Sequence, residues 1–128
     1  MDLHAQVQSL NAYIQGCPWF DFDIIKCDPY RLIIHGGLDL SVDAEVAIQF
    51  DNIFAVSTLM TWKTDTSRQC LSVLSGEEAR RLNLQYHLEQ GHHLYAFQPE
   101  YYPDTFRCWI AAKTMSWQPL ADRKGDNL

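Results

Sequence analysis

The chain has 128 residues, of which 47% are hydrophobic, 20% charged and 12% aromatic, a length and composition that fit one folded domain and exclude an intrinsically disordered protein. The formal charge is −6, with seven acids and two bases between Phe20 and Asp51 and near balance elsewhere. That distribution disfavours nonspecific nucleic-acid binding, because phosphate contact needs Lys and Arg to displace condensed cations. It suits a basic protein partner instead.

Leu3, Val7, Leu10 and Ile14 recur at helical intervals among Gln6, Gln8, Ser9, Asn11 and Gln15, which predicts an amphipathic helix over residues 2–15. Gly16 and Cys17-Pro18 stop it. From Phe20 the period changes to two. Phe20, Phe22 and Ile24 alternate with Asp21 and Asp23, and Tyr30, Leu32 and Ile34 with Arg31 and His35, as in strands with one dry and one wet face. Asp28-Pro29 separates these strands, and Gly36-Gly37 reads as a turn into a third strand carrying Leu38, Leu40 and Val42.

Val46, Ile48 and Phe50 repeat the alternation, Asp51-Asn52 signals a turn, and the apolar run from Ile53 to Trp62 fits a central strand covered on both faces. Thr64-Asp65-Thr66 offers turn chemistry. A shorter strand, Cys70 to Leu74, leads to Ser75 and Glu78, whose capping-box spacing starts a short helix near 76–84. Tyr86 and Leu88 resume strand alternation, Gln90-Gly91 turns, and Leu94 to Phe97 returns as the second arm of a hairpin. A loop bearing Tyr101 and Tyr102 precedes a last strand with Phe106, Cys108, Ile110 and Ala112. The expectation is an α+β fold: a mainly antiparallel twisted sheet of about 6–8 strands, an N-terminal helix and one short helix. Residues 1–118 form the single α+β domain and 119–128 a polar, flexible tail.

Motifs for familiar enzyme classes are missing from the sequence: no GxSxG elbow, no HExxH helix and no phosphate-cradling glycine loop, so an enzyme of a familiar mechanistic class is not expected. Cys17, Cys27, Cys70 and Cys108 stand far apart, without zinc or redox spacing, and are expected to be reduced and mostly buried. His87, His92 and His93 bracket the Gln90-Gly91 turn but specify no third ligand, and His35 at a strand end needs only solvent to explain it; no metal or cofactor is expected. No stretch approaches the ~20 apolar residues of a membrane helix, and Met1 to Gln15 lacks a secretory pattern, so the expected location is the cytoplasm.

Asp21 and Asp23 project from the wet face of their strand, where solvated carboxylates serve binding better than acid–base work. Asp39 and Asp43 extend the same acidic block. Trp109 has parity opposite Phe106, Cys108 and Ile110, so it is either exposed for docking or covered by a helix. The expected partner-binding residues are therefore Asp21, Asp23, Asp39, Asp43 and Trp109, with a basic protein as partner; a homodimer stays open because edge strands need protection.

In size, strand-rich order and the Phe97-to-Ala112 stretch, the sequence resembles small acidic bacterial α+β proteins of the toxin-immunity kind, which implies binding to a toxin enzyme. A different reading takes the helix-then-sheet order as similar to cone-shaped α+β folds of the nuclear transport factor type, which implies a small-ligand binder or uncommon enzyme with an aromatic-lined pocket.

Overall fold

Every-second-residue burial at Phe20 and Phe22, at Leu32 and Ile34, and at Val46, Ile48 and Phe50 marks strands that a computed structural model describing residues 2–120 joins into one seven-stranded antiparallel sheet. The chain builds α1 (Leu3–Gln15), β1 (Phe20–Cys27), β2 (Arg31–Gly37), β3 (Val46–Ser57), β4 (Thr61–Thr64), β5 (Leu71–Val73), α2 (Gly76–Tyr86), β6 (His93–Phe97) and β7 (Cys108–Pro119). In space the strands run β4-β1-β2-β3-β7-β6-β5. The fold is thus α+β, a curled antiparallel sheet with one helix on each face.

The curl brings the two ends of the sheet together. Trp62 of edge strand β4 meets the Phe97 ring of β6 at 5.2 Å, and the Glu100 N–H donates to the Lys63 carbonyl at 2.7 Å. The concave face is filled by α1 and by rings and branched side chains, including Phe20, Phe22, Leu32, Ile34, Ile48, Phe50, Tyr95, Phe97 and Ile110, all fully buried. Helix α1 inserts Val7, Leu10 and Ile14 into this layer. Between those apolar residues, buried Asn11 donates to the Leu71 carbonyl at 2.8 Å and accepts from the Leu71 N–H at 3.0 Å, so its amide stands in for a neighbouring strand at the β5 edge.

On the convex face, α2 covers β6, the start of β7 and the C-terminal end of β3. Its Ala79 and Leu82 pack on Leu94, Ala96, Trp109 and Ala111. Asp21, Asp23, Arg31, His35 and Asp51 lie outside this cover, where none of these side chains is fully buried.

Several sequence expectations change. Gly36 and Gly37 do not turn; they extend β2, because a Cβ on Gly36 would come within 2.6 Å of the Phe20 ring and 3.0 Å of the Phe22 ring. Leu38 to Val42 form a loop and not a strand, with a single bridge between Asp39 and Asp43. Asp51-Asn52 lies within β3, where Asn52 at φ 58° and a register shift between Ile53 and Ala55 absorb the irregularity as a bulge. The run expected to continue to Trp62 breaks after Ser57, and β4 crosses to pair with β1.

Ser75 does precede α2, but its side chain makes no capping bond, and Glu78 reaches Arg107 instead. Helix α2 continues through Tyr86 and ends at His87 in the left-handed region, φ 53°, so the hairpin expected between Tyr86 and Phe97 does not form. Cys27 is exposed, Cys17 half-buried, Cys70 and Cys108 buried, and all four thiols are free. Two residues assigned to the tail belong to the fold: Pro119 pairs with Val46, and the Leu120 N–H bonds the Glu45 carbonyl. Residues 121–128 of the expected tail lie outside the described residues.

Candidate functional site

The groove that gathers the sequence-predicted acids lies where β4, β1 and the loop after β2 meet. Alternation along β1 turns Asp21 and Asp23 away from Phe20 and Phe22, and pairing sets them opposite Lys63 and Thr61 of β4. Gly37 stands beside Asp21 on β2 and carries no side chain; a Cβ there would meet the Asp43 carbonyl oxygen and the Glu45 nitrogen, each at 3.2 Å. That space lets the 38–45 loop fold back over the strand end.

Two anchors fix the loop. Glu45 accepts from the Tyr13 hydroxyl of α1 at 2.9 Å and from the Leu38 N–H at 3.3 Å, and the Trp19 indole N–H donates to the Leu38 carbonyl at 2.9 Å. Asp39, Leu38, Leu40 and Ser41 then form one wall of a groove of about 440 Å³, with Asp21, Asp23, Thr61, Trp62 and Lys63 forming the rest. Three carboxylates face one ammonium.

The electrostatics follow from that crowding. The Asp21 carboxyl is held above the usual carboxylate range, first by partial burial and then by the negative charges of Asp23, Glu100 and Asp39, while Lys63 pulls the other way. A cation entering the groove would relieve this repulsion.

Asp21, Asp23 and Asp39 are thus brought together, whereas Asp43, exposed on the far limb of the loop, does not line the groove. Trp109 is a correction to the predicted docking set. It is 6% exposed and packs edge-on against Tyr86 of α2 at 5.0 Å, because the covering helix runs two residues further than its sequence pattern indicated. Sequence reasoning missed Lys63, Thr61 and Glu100, since only β4 pairing with β1 and the Glu100 N–H bond to Lys63 place them here.

The other candidate chemistries disperse. His92 lies tilted against Phe54 at 5.3 Å and His93 meets Tyr95 edge-on at 6.3 Å, and among the described residues no group of three His, Cys, Asp or Glu side chains is placed to hold a metal. The aromatic side chains of the concave face pack ring against ring, Phe50 on Tyr95 at 5.0 Å and Phe22 on Phe97 at 5.3 Å. Among the described residues, no helix is long and apolar enough to cross a membrane. Compared with known proteins, the chain matches no family model, no curated protein and no solved structure.

Proposed function

We propose that this chain is a protein-interaction module that binds a basic partner in the groove of Asp21, Asp23 and Asp39. One observation carries the reading: residues far apart in sequence converge on a single concave site whose carboxylates repel one another. Leu38 and Leu40 supply apolar wall for the stem of a Lys or Arg side chain, and the aspartates face its charged end. Tyr101 adds aromatic surface nearby; it follows Glu100, stands 91% exposed and is held at φ 70°. The ring-packed interior favours this reading over a small-ligand binder with an aromatic-lined pocket.

An immunity-type protein that neutralises a basic toxin in the bacterial cytoplasm is one concrete form. Four free thiols suit a reducing compartment.

Association with an immobilised lysine-rich peptide tests the proposal. Reversing charge at Asp21, Asp23 and Asp39 together should slow the on-rate by about tenfold or more at low salt, and the difference should shrink as salt rises. Asp43→Lys should have a smaller effect. Unchanged association of the triple variant would remove the proposal.

A further inference from the structure

We infer that α2 is a hinged cover, which opens as a unit from an otherwise intact sheet and exposes the apolar strip of Leu94, Ala96, Trp109 and Ala111. The two helices differ in how they are held. Helix α1 has four buried residues, Val7, Leu10, Asn11 and Ile14, whereas α2 has none. Leu84 and Tyr86 of α2 are 65% and 41% exposed. Eleven residues are too few for a helix to stand alone in water, so α2 depends on a contact that buries none of its side chains fully.

A single positive-φ residue stands at each end of α2: Gly76, its first residue, at φ 64° and His87, just past its last, at φ 53°. Left-handed backbone at both ends lets the segment detach and lose its helical hydrogen bonds without moving Val73 of β5 or His93 of β6. Closure is held by the Tyr86 ring on Trp109 and by Glu78 against Arg107, whose buried Nε makes a 3.4 Å ion contact without a hydrogen bond. Segments with few buried contacts open at lower free energy than the core that carries them. Here that segment is the cover over the second apolar layer.

Native-state hydrogen exchange of the whole chain, followed across low urea concentrations, tests the inference. Amides of residues 80–86 should exchange roughly a hundredfold faster than those of β3 and β7, with a weaker dependence on urea. A Cβ at Gly76 meets nothing within 4 Å, so Gly76→Ala changes only the backbone preference and should speed α2 exchange about fivefold. His87→Gly should slow it by about the same factor, because glycine accepts the left-handed conformation without strain. Exchange of α2 at the rate and urea dependence of the sheet would overturn the inference, as would fast exchange indifferent to both hinge substitutions.

Discussion

The two faces of this sheet are built from the same alternating strands and end in opposite states. On the concave side, side chains from all seven strands and α1 close into one layer in which Phe20, Phe22, Phe50, Tyr95 and Phe97 have no exposed surface. On the convex side, part is covered by a helix resting on small residues, Ala96 and Ala111 among them, and part is left to aspartates, a histidine and ion pairs. Curvature explains the difference. Side chains on the inside of a curl converge and can fill a core, while those on the outside diverge and need an added element to be buried. Stability should therefore reside on one face and recognition on the other.

Truncation gives the largest expected contrast. Phe97→Ala, in the concave layer, should cost about 3–5 kcal/mol in denaturant unfolding, whereas Leu82→Ala on the sheet-facing side of α2 should cost about 1 kcal/mol. Equal losses would break the comparison.

Next in size is Asn11→Ala, expected to cost about 2–3 kcal/mol by the same measurement, because the Leu71 N–H and carbonyl lose the side-chain amide that serves them. A loss under about 0.5 kcal/mol would mean that water replaces the amide and that the β5 edge needs no plug.

The smallest effect should have the opposite sign. Burial and neighbouring acids raise the Asp21 carboxyl above its unfolded value, so its ionised form is penalised in the fold. The penalty is full at pH above the folded value and disappears once pH falls below the unfolded one, near about pH 4. Asp21→Asn should accordingly raise the melting temperature slightly at pH 7 and lose that advantage at about pH 3. A destabilised variant at pH 7 would show that the Lys63 attraction outweighs burial and repulsion, and would weaken the case for the groove as a cation site.

The candidate site was half legible in the sequence. Asp21 and Asp23 could be paired from strand parity, and Asp39 belonged to the same acidic block. Lys63 and Glu100 carried no signal linking them to those residues, since strand order is not written in alternation. Trp109 shows the same limit: parity turned it away from the core, but a helix formed elsewhere in the chain decided whether that meant exposure.

Turns were misread where one residue type answers two physical needs. A Gly-Gly pair suits a tight turn and also suits a strand lying under aromatic rings, and at Gly36 the rings of Phe20 and Phe22 select the second. Asn tolerates left-handed backbone in a turn and in a bulge alike, as at Asn52. Leu38, Leu40 and Val42 alternate like a strand, but both edges of β2 are already occupied, by β1 and β3, so a strand turning back from Gly37 has no edge of β2 to pair with.

By itself the sequence determined α1, the two-residue period that makes this an antiparallel α+β protein, and the acids on the wet side of β1. These are local properties, set by spacing along a chain whose helix and strand repeats are fixed by backbone geometry. Tertiary structure alone decided which strands became neighbours, which part of the outer face was covered, and which carboxylates share a groove. Such outcomes depend on contacts between residues distant in sequence, whose pairing is chosen by the fit of the whole sheet around α1.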